Sequence, residues 1–339
     1  MSNRVRVHAP GRVNLIGGHV DYAGGLVLPM AIDLGTTIVA QRGHDRIVLA
    51  SEDFDGLAEV PLDVIDPARI EPSWARFVAG VVAELAPASG FIGEVATTIP
   101  IGTGLSSSAA LEVAVAATLL GDEGMERVDR VELALTCQRA EHRASGVPCG
   151  VMDQLASLCG IAGHALLIDC TTLEITPVAI PADIEIVVID SGERRELAGS
   201  GYADRRAEVA IAAELVGPLR DASLDDVARI EDPIIRHRAH HVVTENARVL
   251  ALVAALGAGD VEGAGRIMTE SHASLRDDHE VTTPALDALV DRLVATRGVY
   301  GARLTGGGWG GCVVALAEPG VLDVGHTALP SAGASIEVL

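Results

Sequence analysis

Residues 10–22 read PGRVNLIGGHVDY and bring Arg12, His19 and Asp21 into one short polar stretch around the bare Gly18. These side chains offer a fixed cation, an imidazole and a carboxylate, groups that bind a polar ligand by charge and by hydrogen bonds. Alternating residues just before the stretch predict a β-strand that runs into a turn at the Pro-Gly pair. The stretch is therefore predicted to be a ligand-binding loop after the first strand.

The composition fits two globular domains and argues against nucleic acids and anionic membranes as partners. The chain has 339 residues, of which 49% are hydrophobic and 21% are charged, so it can bury a sizeable core. Its 25 Lys and Arg residues against 47 Asp and Glu residues give a net charge of −22. This charge repels nucleic acids and anionic membranes, so any anionic ligand must be bound by local groups.

Cysteine usage and the first residues indicate a cytoplasmic protein. Five cysteines, an odd number, form no CxxC pair, which favours a reducing compartment. The stretch MSNRVRVHAPGRV lacks the apolar core of a signal peptide, and no apolar run approaches the length of a membrane span. The oligomeric state stays open between monomer and dimer.

The order of predicted elements indicates an α+β fold. The first half has predicted strands at residues 5–9, 31–41, 46–50 and 93–99, and predicted helices at 74–85, 107–120 and 127–144. After a strand at 184–190, helices are predicted at 202–216, 235–256, 261–271 and 284–296, and strands at 302–304 and 312–317. This mixture lacks the regular βαβ alternation of a doubly wound sheet, and its change in pattern predicts domains over residues 1–180 and 181–339.

A glycine- and serine-rich segment at 100–112, PIGTGLSSSAALE, follows a predicted strand and opens a predicted helix. The unpaired N–H groups of a first helical turn bind anions, and glycines let the backbone approach phosphate oxygens closely. The segment has neither the lysine of a Walker A loop nor the GxGxxG spacing of a dinucleotide fingerprint. Taken alone, it fits either a capped helix after a glycine turn or a phosphate-binding loop.

Four segments, in this order, resemble the GHMP kinase superfamily and, within it, the galactokinases: residues 9–33 (APGRVNLIGGHVDYAGGLVLPMAID), 100–113, 138–170 and 302–314 (ARLTGGGWGGCVV). Residues 238–249 and 271–281 resemble connecting helices of the same family. The resemblance implies an N-terminal ribosomal-protein-like domain and a C-terminal ferredoxin-like domain with the active site between them. It also implies that ATP, with Mg²⁺, phosphorylates the anomeric hydroxyl of galactose or a galactose-like sugar.

The resemblance also assigns roles to single residues. Asp153, in GVMDQ, matches the catalytic base, and Arg12 matches the arginine beside it. Ser108 and Glu141 match the pair that binds Mg²⁺. The ATP-binding loop covers Gly102, Thr103, Gly104, Leu105, Ser106, Ser107 and Ser108, and the sugar-contacting positions are Gly18, His19, Asp21, Gly150, Asp153 and Tyr202.

Gly18 departs from the family pattern, because galactokinases usually read GEHTDY where this chain reads GGHVDY at 17–22. Family members direct the missing glutamate toward the C6 hydroxyl, so Gly18 is expected to remove a negative charge and to leave space at that end of the pocket. The enzyme then either still takes galactose or takes a sugar changed at C6, such as a uronic acid. Related galacturonokinases are similar in having a small residue here.

Several alternatives stay open. Trp74 and Phe77 lie where galactokinases place aromatics near adenine, although a core helix face explains them equally well. Trp309, within the glycine-rich segment 306–311, is expected to pack rather than to bind. A catalytically silent sugar sensor and a kinase for mevalonate or homoserine are the alternative functions. Three histidines at metal-like spacing match an ordinary family helix and are expected to bind no metal: His237, His240 and His241.

Overall fold

The computed structural model describes residues 3–193 and 198–339, apart from the side chains of residues 198–200. Its strands are β1 (Arg4–Asn14), β2 (Leu26–Val27), β3 (Pro29–His44), β4 (Arg46–Ser51), β5 (Leu57–Pro61), β6 (Gly90–Thr97), β7 (His164–Asp169), β8 (Ile175–Ala179), β9 (Glu185–Asp190), β10 (Val299–Thr305), β11 (Cys312–Ala317), β12 (His326–Thr327) and β13 (Ser335–Val338). Its α-helices are α1 (Ala75–Leu85), α2 (Ser107–Arg127), α3 (Arg130–Ser145), α4 (Met152–Cys159), α5 (Ala198–Val216), α6 (Leu224–Val227), α7 (Pro233–Ala258), α8 (Val261–Asp277) and α9 (Pro284–Val294). Short 3₁₀ helices lie at Asp21–Ala23 and Pro67–Arg69.

The strands of the described residues form one large sheet and two smaller ones. The large sheet has the order β13-β1-β3-β6-β4-β5, and its neighbouring strands are antiparallel except for β4 and β6. The smaller sheets have the orders β10-β11-β9-β12 and β2-β7-β8. Because β13 pairs with β1, with Val338 opposite Val5, the last strand of the chain completes the sheet that the first strand begins.

Strand β1 continues through the Pro-Gly pair, so the turn predicted after Ala9 is wrong. The register of β1 against β3 shifts between Pro10 and Arg12, and this bulge accommodates a proline that has no N–H for the ladder. A side-chain carbon on Gly11 would lie 2.7 Å from the carbonyl oxygen of Leu105. The glycine–serine segment therefore packs directly over the end of β1, and Arg12 lies on a strand rather than in a loop.

The helices pack on the sheets and on one another. Helices α2 and α4 contact β1 and β3, and α1 and α3 contact each other and α2. Helices α1 and α3 approach so closely that a side-chain carbon on Gly80 would lie 2.5 Å from the carbonyl oxygen of Ala140. In the second half of the chain, α8 and α9 pack against β10, and α7 packs against α5 and α8. The helices that carry most candidate site residues thus share one core with the large sheet.

Most predicted elements are present with shifted ends, and the α+β fold class is confirmed. The helix predicted at 127–144 begins at Arg130, because Asp129 caps it by accepting backbone N–H bonds. Strands β7 and β8 and helix α4, which lie between α3 and β9, were not predicted from the sequence. The proposed domain boundary near residue 180 lies between β8 and β9. Among the helices named above, none offers the apolar run that crossing a bilayer would take.

Candidate active site

A cleft of about 390 Å³ lies where the start of α2 meets β1, α3, α4 and α5. Most predicted site residues line it: Arg12, Gly18, His19, Asp21, Gly102, Gly104, Ser106, Ser107, Ser108, Glu141, Gly150, Asp153 and Tyr202. Two predicted loop residues lie behind the lining instead. The Thr103 hydroxyl donates to the carbonyl of Pro100 at 2.6 Å, and Leu105 is buried in the core. The cleft therefore collects residues from both halves of the chain.

Arg12 and Asp153 form a two-pronged ion pair in this cleft. Arg12 Nε donates to Oδ1 of Asp153 at 2.8 Å, and Arg12 Nη2 donates to Oδ2 at 2.7 Å. The remaining nitrogen, Nη1, donates to the carbonyl oxygen of Gly104 at 2.6 Å. The hydroxyl of Ser106 donates to Oδ2 of the same carboxylate. Because paired charged groups of this geometry bond strongly and directionally, the Asp153 carboxylate is held in one orientation.

The start of α2 presents backbone N–H groups to the cleft. Gly102, Gly104 and Ser106 have positive φ angles of 78°, 80° and 63°, so the chain turns sharply into the helix. Ser106 occupies the N-cap position, but its hydroxyl bonds to Asp153 and does not cap the helix. The first-turn N–H groups are therefore left for a ligand, and the helix dipole favours an anion there.

Glu141, on α3, faces the start of α2. Its Oε1 accepts a hydrogen bond from the Ser108 hydroxyl at 2.8 Å, and its Oε2 accepts one from Gln154 Nε2 at 2.5 Å. Gln154 Nε2 also donates to Oε2 of Glu112 at 3.2 Å. Burial raises the pKa of Glu141, and the charge of Asp153 adds to this shift. The cleft wall thus combines hydroxyl and carboxylate oxygens, which are the ligands of a hard cation.

A second group of predicted residues packs together beside Asp153. The rings of His19 and Tyr202 have centroids 5.2 Å apart, and the Tyr22 hydroxyl lies 3.2 Å from His19 Nδ1. Asp21 fits against Gly150, where an alanine methyl would lie 2.0 Å from its Oδ2. Burial, together with the negative charge of Asp153, raises the pKa of Asp21 to about 6. These residues form a pocket of ring faces and one carboxyl group that accepts hydrogen bonds strongly when it is ionised.

The empty space expected beside Gly18 is absent, because Arg303 fills it. A side-chain carbon on Gly18 would lie 2.6 Å from Nη2 of Arg303 and 3.3 Å from Leu275. Arg303 is 1% exposed, and among the described residues its Nε and Nη1 have no hydrogen-bond partner. Oε1 of Glu245 lies 3.8 Å from Nη2 of Arg303, and that oxygen also accepts the N–H of Gly17 at 3.0 Å. Burial lowers the pKa of Arg303 to about 10 although Glu245 opposes the shift. A buried guanidinium with unmet hydrogen bonds therefore lies directly behind the bare position.

A second pocket, of about 380 Å³, shares Ser107 and Ser108 with the cleft. Trp74 and Phe77 line this pocket, so the two aromatics face a cavity as well as packing on a helix. Phe54, which the sequence analysis missed, lines it too and stacks on Trp74 with ring centroids 5.9 Å apart. The pocket is an apolar extension of the site at the start of α2.

The structure also locates the remaining candidates. Asn14 lines the cleft and donates to the carbonyl of Gly17 at 3.2 Å, although the sequence analysis passed over it within the first quoted stretch. Trp309 lies beside His19, with ring centroids 6.2 Å apart. Of the three spaced histidines, His240 lies 2.9 Å from a carboxylate oxygen of Asp278, and His241 Nε2 lies 2.9 Å from the carbonyl of Gly18.

Known proteins share this order of segments. Residues 2–42 match the galactokinase galactose-binding signature, residues 75–161 match the GHMP kinase N-terminal domain, and residues 252–333 match the GHMP kinase C-terminal domain. The galactokinase of Chloroflexus aggregans is 45% identical over 93% of this chain and 84% of its own length. This chain belongs to the galactokinase family. Human galactokinase is 43% identical to it over 92% of this chain and 83% of its own length.

Solved structures agree with this membership. The crystal structure of Lactococcus lactis galactokinase complexed with galactose has a TM-score of 0.90 and 33% identity over 98% of this chain and 95% of its own. A mevalonate kinase structure, at 22% identity and a TM-score of 0.64, shares the fold over 93% of this chain. The expected two-part GHMP kinase fold of the galactokinase family is confirmed.

The Asp21 carboxyl group is expected to titrate at about pH 6 in the free protein, against its ordinary pKa of 3.8. Because the charge of Asp153 contributes, Asp153→Asn should lower the pKa of Asp21. It should leave that pKa above 3.8, since burial is the larger cause and remains. Site-resolved ¹³C NMR titration of the carboxyl groups measures both values. An Asp21 that titrates near 3.8, or that does not respond to Asp153→Asn, contradicts this coupling.

Proposed function

We propose that this chain is a sugar 1-kinase that transfers the γ-phosphate of ATP to the anomeric hydroxyl of galactose. The observation that carries the proposal is the Asp153 carboxylate, which Arg12 and Ser106 hold beside the N–H groups that open α2. A phosphate chain bound at those N–H groups and a sugar bound beside His19 and Asp21 can meet at this carboxylate. The names of the relatives support the same assignment.

In the proposed reaction, Asp153 accepts the proton of the anomeric hydroxyl as the hydroxyl oxygen attacks the γ-phosphorus. A new P–O bond forms to the sugar, the bond from the γ-phosphorus to the β–γ bridging oxygen breaks, and ADP leaves with that electron pair. Arg12 holds Asp153 and stabilises the charge on the transferring group, while the first-turn N–H groups of α2 bind phosphate oxygens. A positioned base of this kind contributes about 10² to 10⁴ in rate.

The oxygens of Ser108 and Glu141 fit Mg²⁺, and we propose them as its protein ligands. They lie 2.8 Å apart at the cleft wall, and Mg²⁺ takes few protein ligands because it keeps water and phosphate oxygens in its other positions. Arg12 is the only arginine or lysine among the described cleft residues, so phosphate charge needs a further cation. Bound Mg²⁺ would neutralise that charge.

The second pocket supports an adenine site. Its Trp74, Phe77 and Phe54 rings give apolar walls next to the start of α2, within reach of a nucleotide whose phosphates bind there. We therefore propose ATP and a small sugar as the molecules that this site binds.

The free thiols of Cys137, Cys149 and Cys159 support the proposed reducing, cytoplasmic location.

A sugar that carries a carboxylate at C6, such as galacturonate, is the second candidate substrate. The observation that favours it is Arg303, a buried cation directly behind Gly18. Among the described residues its Nε and Nη1 have no hydrogen-bond partner, and the carboxylate of Glu245 lies 3.8 Å from its Nη2. An anion placed near such a group offsets its cost of burial. Glycine at position 18 also supplies no carboxylate of its own to repel a uronate.

Asp153→Asn is expected to lower kcat by about 10² to 10⁴, because the amide keeps the shape of the side chain but cannot accept the proton. ADP binding should stay close to that of the unmodified protein. ADP release with a panel of galactose, galacturonate, 6-deoxygalactose, galactosamine and arabinose measures the rate, and calorimetry measures ADP binding. An unchanged kcat rules Asp153 out as the base. An unmodified chain that releases no ADP with any of these sugars rules out the kinase.

Gly18→Glu is expected to raise the ratio of kcat/KM for galactose over galacturonate. The new carboxylate would repel the uronate and offset the charge of Arg303. It would also accept a hydrogen bond from the C6 hydroxyl of galactose. A hydrogen bond to a charged group is worth about 1.5 to 3 kcal/mol, or about 10- to 100-fold in kcat/KM. Gly18→Ala adds bulk without charge and is the matched control, for which both sugars should change alike. A ratio that stays the same in Gly18→Glu means that other residues recognise C6.

A further inference from the structure

A buried polar bridge lies behind the oxygens proposed to bind Mg²⁺. Gln154, one residue after Asp153 on α4, and Glu112, on α2, are both 0% exposed. Gln154 Nε2 donates to Oε2 of Glu141 at 2.5 Å and to Oε2 of Glu112 at 3.2 Å. One amide group therefore joins helices α2, α3 and α4 at the cleft wall.

A purely structural role would not need this bridge. Its neighbours on α2, such as Ala109 and Val113, are fully buried and apolar. Among the described residues, Oε1 of Glu112 and Oε1 of Gln154 have no hydrogen-bond partner. Buried polar groups with unmet hydrogen bonds cost free energy, and apolar residues of similar size would pack here without that cost. Local costs of this kind are characteristic of functional sites.

The bridge controls the orientation of one carboxylate. Glu141 presents Oε1 to the Ser108 hydroxyl at the cleft, while Gln154 holds Oε2 from the interior. Because Gln154 fixes Oε2 from the interior side, the plane of the carboxylate is fixed as well. Oε1 then stays directed at the space between α2 and α3 where the cation is proposed to bind. Carboxylates that bind metals are commonly oriented by such outer hydrogen bonds, and removing one typically costs about 10- to 100-fold in metal affinity or activity.

We propose that Gln154, anchored by Glu112, is a positioning residue that orients Glu141 for a divalent cation and so sets how strongly that cation couples to nucleotide binding. The inference rests on the proposed function, because it takes the nucleotide phosphates to bind at the start of α2. Glu112 lies outside the cleft and acts through Gln154 by offering an acceptor oxygen. Burial raises the pKa of Glu112 well above its ordinary range, so a neutral glutamine can replace it.

The gain in ADP affinity that Mg²⁺ provides, measured by calorimetry on the full chain with and without Mg²⁺, tests this role. Gln154→Leu removes both donated bonds at similar volume and is expected to reduce that gain about 10- to 100-fold. ADP affinity without Mg²⁺ should not change. Glu112→Leu should reduce the gain in the same direction, and Glu112→Gln should retain it. Ser157→Ala, at a buried polar residue on the same helix, is the matched control and should also retain it.

The unfolding temperature of each variant shows whether it folds. If Gln154→Leu does not fold, Gln154→Asn replaces it, because the shorter amide cannot span both carboxyl groups. An undiminished Mg²⁺-dependent gain in the folded Gln154 variant overturns the proposal, and so does an equal loss in Ser157→Ala. An unmodified chain for which Mg²⁺ adds nothing to ADP affinity overturns it as well. Because the assay needs no sugar turnover, a chain that phosphorylates no sugar but shows the expected pattern would contradict the kinase function and support the role of Gln154.

Discussion

Arg12 and Asp153 lie 141 positions apart in the chain, and their paired hydrogen bonds join strand β1 to helix α4. The third nitrogen of the same guanidinium holds the carbonyl of Gly104, in the loop before α2. One side chain therefore sets the relative positions of three segments that meet in the cleft. The Arg12 side chain is only 6% exposed, while that of Asp153 is 26% exposed. Removing Asp153 would therefore leave the guanidinium charge without compensation in the interior, a loss that costs about 3 to 5 kcal/mol in fully buried pairs. The position of Asp153, and with it the proposed chemistry, depends on this contact.

Because the molecule is strongly acidic, a nucleotide must be bound by groups that lie close to its phosphates. The chain carries a net charge of −22, and Asp21, Glu141 and Asp153 line the cleft itself. The first-turn N–H groups of α2, at the cleft, oppose this field at short range because they combine hydrogen bonding with the helix dipole. The oxygens of Ser108 and Glu141 would bind a cation at a place where carboxylates otherwise repel phosphate. Under the proposed function, Glu141 would become a binding group for the nucleotide once it holds a cation, and its orientation would then matter.

Short contiguous motifs made much of the cleft predictable. Arg12, Asp153, Ser108 and Glu141 lie in segments that resemble the family, and the structure brings all four to one cleft. A contiguous motif does not predict which residues of a loop reach the cleft: Thr103 and Leu105 lie behind the lining, although Gly102 and Gly104 lie in it. The Pro-Gly pair favours a turn, yet a bulge lets β1 continue, since tertiary packing against Leu105 outweighs the local signal. Gln154 and Arg303 lie in segments that resemble the family, but their contacts, like those of Glu112, are with residues distant in the chain. Neither the motifs nor the periodicity therefore indicated a role for them.

A double-mutant cycle on kcat with Arg12→Met and Asp153→Asn tests the role of this pair most directly. If Arg12 acts mainly by holding Asp153, the two residues form one unit, and the double variant should be about as slow as the slower single variant. If the two losses multiply instead, the residues act independently, and the pair does not organise the site.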